Sequence, residues 1–154
     1  MAGRKTKQAQ VDMGVLQELL GYHLRRAQLS FFAGFAEACA DLGLSPGLFA
    51  VVEVVYRNPG MTQTAVSKAL GTDRSAMVAA IDKLETMGLL ERRPSENDRR
   101  SYALYATEHC ANWYPSAEEK VKHQENLVAG CLSDNEREQL LRILQKLNAG
   151  SSQG

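Results

Sequence analysis

Apolar residues recur at helical spacing in the first quarter of the chain. Between Asp12 and about Asp41 the sequence holds no proline, and apolar residues recur at helical spacing. They include Leu16, Leu19, Leu20, Leu24, Phe31, Phe32 and Phe35. The pattern predicts one long helix, which would extend roughly 44 Å. Since a small domain needs no helix of that length internally, we expect part of its apolar surface to pack on a partner subunit.

The second helix is predicted from the signals at its ends. Ser45 can cap it, and Pro46 takes the first helical position, where the missing N–H costs nothing. The run Asn58-Pro59-Gly60 then ends the helix because proline cannot continue it.

Two helices joined by a tight turn are predicted next. Thr62 can cap a short helix over 62–70 that ends at Gly71, and Thr72 or Asp73 can cap a longer helix that runs to 87. The longer helix has one apolar face and one face of small or polar residues. The apolar face carries Met77, Ile81 and Leu84, and the opposite face carries Ser75, Ala79, Asp82 and Thr86, flanked by Ala76 and Lys83. We therefore expect one side to pack while the other is presented outward.

The hydrophobic period changes after this helix. Two short strand-like runs, 89–93 and 101–106, flank the turn-forming segment 94–98, which predicts a β-hairpin. The formal net charge of the chain is zero, with 18 basic and 18 acidic residues, which by itself does not suggest a nucleic-acid binder. The distribution is more informative, since the hairpin concentrates four arginines, Arg92, Arg93, Arg99 and Arg100.

The remainder of the chain is predicted to be helical. One helix covers about 107–131, and a second follows the capping box from Ser133 to Glu136. The predicted fold class is mainly α with a small β-hairpin wing, that is, a winged helix-turn-helix with an α-helical dimerisation region. We assign 45–107 to the winged helix-turn-helix, 12–44 and 108–148 to dimerisation, and 1–11 and 149–154 to flexible tails.

Several classes of protein are excluded by what the sequence lacks. No apolar run reaches 18 residues and the N-terminus does not resemble a signal peptide, so we expect a cytoplasmic protein without a membrane partner. The three histidines are far apart and the three cysteines form no Cys-x-x-Cys pair, so no metal site or cofactor is expected. No nucleophile elbow, phosphate loop, dinucleotide fingerprint or zinc-protease helix is present, which argues against an enzyme.

A short helix, a tight turn, an amphipathic helix and a basic hairpin together can read double-stranded DNA. An α-helix fits the major groove, and arginine at a hairpin tip suits the narrow minor groove beside it. The candidate DNA-binding residues are Thr62, Gln63, Thr64, Lys68, Asp73, Arg74, Ser75, Ala76, Ala79, Lys83, Arg99 and Arg100. Taken singly, the arginines are equally compatible with a solvated turn, and the helix pair with an ordinary αα-hairpin.

The joint spacing of these elements resembles the MarR (multiple antibiotic resistance regulator) family. The resemblance is carried by MTQTAVSKALGTDRSAMVAAIDKLETMGLLERRPSENDRR and extends over about 12–148. It implies that Asn97-Asp98-Arg99-Arg100 is the wing signature, with Asp98 supporting the wing and Arg100 able to pair with Asp73. Two departures stand out, Ser67 where the family prefers alanine and Cys110 where it prefers glycine, and the second puts the exit from the wing in doubt.

The resemblance further implies a homodimer clasped by the first, fifth and sixth helices. It also implies a small-molecule effector bound in a crevice between those helices and the winged helix-turn-helix, 45–107, which we call the reading head. The candidate effector-binding residues are Tyr22, His23, Arg25, Arg26, Phe49, Tyr56 and Trp113. Aromatic residues here are more often core than ligand contacts. Tyr22, His23 and Arg26 form a polar triplet suited to a carboxylate or phosphate, although an ion pair at the dimer interface would use the same residues.

The sequence also resembles the subset of the family that governs catabolism of hydroxycinnamates and related aromatic acids. We therefore expect a repressor that a small aromatic acid or its coenzyme A thioester, such as a hydroxycinnamoyl-CoA, releases from a pseudo-palindromic operator. The alternative is a thiol-based redox sensor of the same fold. The family's peroxide sensors carry a cysteine near the start of the first helix, and here none precedes Cys39, so Cys39 and Cys131 are expected to be buried. A purely protein-binding helical module would not need the wing arginines.

Overall fold

The fold consists of six α-helices and a small antiparallel sheet within the described part of the chain. A computed structural model describes residues 11–95 and 102–151. The elements in chain order are α1 (Leu20–Ala38), α2 (Pro46–Arg57), β1 (Met61–Thr62), α3 (Gln63–Leu70), α4 (Arg74–Thr86), β2 (Leu90–Pro94), β3 (Tyr102–Ala106), α5 (Glu108–Val128) and α6 (Asp134–Ser151).

The single long helix expected over 12–41 is wrong. A 3₁₀ turn, Gly14–Glu18, precedes α1, and a second, Ala40–Leu42, follows it. Leu19 separates the first turn from α1 with an extended backbone (φ −88°, ψ 114°), which interrupts the helical hydrogen-bond ladder. The 19 residues of α1 extend about 28 Å, so length alone gives no argument for a partner.

The helix ends in the middle of the chain follow local capping chemistry. Ser45, Thr62 and Asp73 each accept a hydrogen bond from the backbone N–H three residues further on, at 3.3, 3.2 and 2.9 Å. Asp73 is therefore the cap of α4, which decides between the two candidates. Gly71 ends α3 with φ +61°, a left-handed conformation that favours glycine.

The predicted hairpin is part of a sheet of three strands, in the order β1-β3-β2. Both pairings are antiparallel, and Leu104 at the centre of β3 pairs with Met61 on one side and Arg92 on the other. The short strand β1 was not predicted, because two residues cannot show an alternating pattern. It connects the hairpin to the residue that begins α3.

One hydrophobic core lies beneath the sheet and between α2, α3 and α4. It contains the three residues predicted for the apolar face of α4 and residues from every neighbouring element. Its most deeply buried members are Met77, Ile81, Leu84, Leu89, Leu90, Leu104, Val52, Val55, Val66, Cys39 and Cys110. The core holds α2, α3, α4 and the sheet together as one body.

The exposed apolar side chains concentrate at the two ends of the described chain. Those before and within α1 include Leu16, Leu19, Leu20, Leu24, Leu29 and Phe32, and those near and within α6 include Leu127, Leu140, Leu141, Ile143 and Leu147. No residue of α6 between 134 and 150 is buried. No helix in the described part combines the length and the apolar character that crossing a bilayer requires.

Candidate nucleic-acid interface and effector region

The outer face of α4 carries small and polar side chains. Ser75, Ala76, Ala79 and Lys83 are exposed, whereas Met77, Ile81 and Leu84 on the opposite face are fully buried. Small side chains allow a helix to approach a groove closely, and the N-terminal N–H groups of a helix favour a phosphate. The geometry predicted from the sequence is therefore present on α4.

The Asp73 carboxylate caps the start of α4. Its Oδ1 accepts hydrogen bonds from the Ser75 hydroxyl at 2.6 Å and from the Ala76 N–H at 2.9 Å. Both hydrogen bonds lower the pKa of the Asp73 carboxyl, the bond from Ser75 more than the bond from Ala76. Asp73 therefore orients Ser75, while Arg74 between them is exposed to solvent. Its expected partner Arg100 lies outside the described residues, as do Asp98 and Arg99.

The helix α3 and the turn that follows it are fixed by polar contacts. Thr64 and Lys68 are exposed, as expected for side chains that contact a DNA backbone, and Gln63 is half-buried. The Ser67 hydroxyl donates to the Thr72 carbonyl at 2.5 Å, and the Thr72 N–H donates back to the Ser67 carbonyl at 3.1 Å. Serine at this departure from the family pattern therefore adds a bond that alanine cannot make.

Two of the four hairpin arginines are paired with acids. Arg92 contacts Asp82 and Glu85 of α4, and Arg93 contacts Glu91 while lying 4.6 Å from the centroid of the Tyr105 ring. The sequence grouped these arginines with those of the hairpin tip. In the described part of the hairpin, their charge is instead partly neutralised within the protein.

The predicted effector residues fall into two groups. The first lies at the start of α1, where Arg26 Nη1 donates to the Tyr22 hydroxyl at 3.1 Å and His23 packs edge-on to Tyr22. His23 Nε2 also lies 2.9 Å from the Gln17 carbonyl oxygen, next to the break at Leu19. Arg25 is exposed beside them. This group remains accessible on the single chain.

The second group, Phe49, Tyr56 and Trp113, packs against the core, as aromatic residues usually do. Phe49 and Tyr56 belong to a row of rings that the sequence did not predict. Tyr114 stacks on Tyr56 with ring centroids 4.2 Å apart and on Phe49 at 6.4 Å, and Phe49 also contacts Phe35 at 6.3 Å. The row joins α1, α2 and α5.

A polar cluster at the end of this row was also missed. The buried Tyr114 hydroxyl donates to Glu53 and accepts a hydrogen bond from Arg57 at 3.3 Å, and Arg57 also contacts Glu118 at 3.4 Å. Burial and then the bond to Glu53 raise the pKa of Tyr114 to about 12. The i,i+4 spacing of Glu53 and Arg57 is a signal from which the ion pair could have been predicted, but no sequence signal connects it to Tyr114.

Two open cavities border α5, and neither is lined by the predicted effector residues. The larger, of about 610 Å³, is lined by Pro115, Glu118, Glu119, Lys120, Lys122, His123 and Asn126. The smaller, of about 360 Å³, lies between α1 and α5 and is lined by Gly34, Glu37, Ala38, Gln124, Leu127 and Val128. Neither of these two cavities brings the two predicted effector groups together.

The cysteines correct one expectation. Cys39 and Cys110 are buried, but Cys131, which was expected to be buried, is exposed in the 3₁₀ turn after α5. Burial raises the pKa of both buried thiols, that of Cys110 to about 11, and so disfavours the reactive thiolate. Among the described residues, no group of three or more His, Cys, Asp or Glu side chains is arranged to hold a metal ion.

A short helix, a turn, a second helix with an exposed polar face and a β-wing define the winged helix-turn-helix class. Within that class the chain belongs to the MarR family, whose pattern matches residues 42–101. The predicted fold class and family are confirmed. The chain is a transcription regulator of the MarR type.

Proteins similar to this chain include transcription regulators. A transcriptional regulatory protein for the hcr operon of Thauera aromatica is 36% identical over 140 residues, which cover 90% of this chain and 84% of the relative. The structure of the transcriptional repressor CouR bound to a 23-mer DNA duplex matches with a TM-score of 0.85, 36% identity, and coverage of 91% of this chain and 99% of CouR. CouR bound to p-coumaroyl-CoA matches with a TM-score of 0.82, 34% identity, and coverage of 90% and 98%.

Proposed function

We propose that this protein is a homodimeric repressor that binds a pseudo-palindromic operator and releases it when a hydroxycinnamoyl-CoA or a related aromatic acid binds. The observation that carries the proposal is the exposed face of α4, where Ser75, Ala76, Ala79 and Lys83 stand opposite a fully buried apolar face. The likeness to DNA-bound CouR over 91% of the chain supports the same use of this face. In the dimer, two such helices enter successive major grooves about 34 Å apart.

The distribution of exposed apolar surface separates the part of the chain that binds DNA from the part that pairs with a second copy. Residues 45–107 form the reading head, and 12–44 and 108–148 pair with a second copy. Exposed leucines before and within α1 and on α6 support this assignment, because apolar surface left on one chain is stabilised when a partner removes it from water.

The effector binds between the pairing helices and the head. Tyr22, His23 and Arg26 at the start of α1 offer a phenol, an imidazole and a guanidinium that can hold phosphate or carboxylate groups. The row of rings that includes Phe49 and Tyr56 offers flat apolar surface for an aromatic acyl group, and the ring of Trp113 packs against the same core. The likeness to CouR bound to p-coumaroyl-CoA supports a thioester as the ligand.

The proposal is tested by fluorescence polarisation with the upstream intergenic DNA at two salt concentrations. We expect tight binding that weakens as salt rises, and reversal by p-coumaroyl-CoA but not by free coenzyme A. Indifference to every hydroxycinnamate and thioester would reject the effector, and absence of binding would reject this operator.

The wing is tested separately by Arg100→Ala. Loss of the arginine is expected to weaken DNA binding by about 1–3 kcal/mol while leaving the far-ultraviolet circular dichroism unchanged. Lys122→Ala removes the same charge from an exposed site on α5 and is expected to bind like the parent protein. Equal affinity of the parent and Arg100→Ala would reject the role of the wing.

A further inference from the structure

A single arginine at the base of the wing holds the acidic residues of the recognition helix α4. We propose that Arg92 is a positioning residue that neutralises Asp82 and Glu85 and so makes the second half of α4 compatible with the DNA backbone. The inference rests on the proposed DNA binding. It assigns Arg92 to the protein's own carboxylates and not to a phosphate.

The contacts of Arg92 join three elements. Its Nη2 donates to Asp82 Oδ1 at 2.7 Å and lies 3.5 Å from Gln63 Oε1 of α3, while its Nη1 donates to Glu85 Oε2. The Arg92 backbone N–H also donates to Glu85 Oε1 at 3.0 Å. Both oxygens of Glu85 are therefore held by one residue, which fixes strand β2 against α4.

The charges on α4 explain why this contact matters. The helix carries two bases, Arg74 and Lys83, and two acids, Asp82 and Glu85. The Asp82 side chain is 58% exposed on the side that carries Lys83 and Thr86, so it faces the surroundings and not the core. A carboxylate there would repel a phosphate backbone, since like charges brought together at an interface weaken binding.

Arg92 itself is poorly placed to bind a phosphate. Its side chain is only 22% exposed, and both terminal nitrogens already donate to carboxylates. A guanidinium in this geometry acts by cancelling the charge of its partners and by orienting them. Release of Asp82 and Glu85 is therefore the main consequence of its removal.

A double-mutant cycle on DNA binding tests the proposal. Arg92→Gln is expected to weaken binding about tenfold or more, because the negative charges of Asp82 and Glu85 are then no longer cancelled beside the DNA. Asp82→Asn alone is expected to change affinity less than threefold, but in the Arg92→Gln background it should restore most of the lost affinity. Arg92→Lys keeps the charge but lacks the planar guanidinium that can donate to two carboxylates at once. Its DNA affinity is expected to lie between those of the parent and Arg92→Gln.

The outcomes separate this inference from the proposed function. If the parent protein binds DNA and Asp82→Asn rescues Arg92→Gln, the neutralising role is established. If Arg92→Gln binds as tightly as the parent, or its defect is unchanged by Asp82→Asn, the role is rejected while the proposed function stands. A parent protein that binds no duplex rejects both. Thermal unfolding of each variant shows whether the head is folded, and an Arg92→Gln protein that does not fold is replaced in the cycle by Arg92→Met, which also removes the charge.

Discussion

The Tyr114 hydroxyl connects α5 to α2, and its removal has a calculable effect on stability. Tyr114 is 2% exposed, and its ring stacks on Tyr56 while its hydroxyl donates to Glu53 and accepts from Arg57. Tyr114→Phe keeps the stacked ring and removes only the oxygen. Hydrogen bonds to charged groups contribute about 1.5–3 kcal/mol, and because the Glu53 side chain is 36% exposed water replaces part of the loss.

We therefore expect the free energy of unfolding of Tyr114→Phe to fall by about 1–2 kcal/mol at pH 8. Urea denaturation followed by circular dichroism measures it, with parent and variant at the same concentration because dimerisation would contribute to stability. Tyr102→Phe is the matched control, since Tyr102 is 59% exposed. Equal stability of the parent and Tyr114→Phe would show that the hydroxyl contributes nothing.

The difference between parent and Tyr114→Phe should also depend on pH. Folding raises the pKa of Tyr114 from 10.0 to about 12, so the folded chain favours the neutral phenol. This contribution is fully present below pH 10 and is lost as the pH rises through about 12. The gap in stability is expected to be constant from pH 7 to 9 and to narrow at pH 11. A gap that widens at pH 11 would contradict the cause assigned to the pKa shift.

Three further changes test the packing of the chain. Ser67→Ala removes the hydroxyl bond across the turn and should cost about 0.5–1.5 kcal/mol in urea denaturation, even though the family prefers alanine there. In the native protein, Ellman's reagent should modify Cys131 first and leave Cys39 and Cys110 until denaturant is added. Gly34→Ala would place a methyl group 2.8 and 2.9 Å from two side chains of α5, and overpacking of about 1–3 kcal/mol should exceed the helical gain of about 1 kcal/mol.

Each of these changes has a result that would contradict it. A Ser67→Ala protein more stable than the parent would mean that the hydroxyl bond strains the turn. Rapid modification of all three thiols without denaturant would show that the hydrophobic core opens readily. A stabilised Gly34→Ala would show that α1 and α5 separate without cost.

The sequence predicted the elements whose causes are local. The caps at Ser45 and Thr62 and the apolar face of α4 depend on residues within one or two helical turns, and they were found correctly. For the cap of α4, the sequence left Thr72 and Asp73 as alternatives, and the structure selects Asp73. The break at Leu19 was missed because leucine has no preference for an extended backbone, and a helical pattern of apolar residues continues across it.

Contacts between distant elements were not predictable in the same way. The bonds from Arg92 to α4 and from Tyr114 to α2 join residues brought close only by the tertiary fold. Arg92, which the sequence analysis grouped with the other hairpin arginines, is therefore paired with Asp82 and Glu85. The exposure of Cys131 likewise depends on where α5 ends in space, which periodicity does not report.

Thr62 belongs to two parts of the head at once. Its backbone pairs with Ala103 in β3, and its hydroxyl caps α3 by accepting the Ala65 N–H. One residue thus belongs both to the sheet and to the start of α3. The sheet and α3 therefore cannot be reoriented relative to each other without breaking either a strand pairing or a helix cap. In the proposed dimer, we therefore expect an effector to change the distance between the two heads and to leave the geometry within each head unchanged.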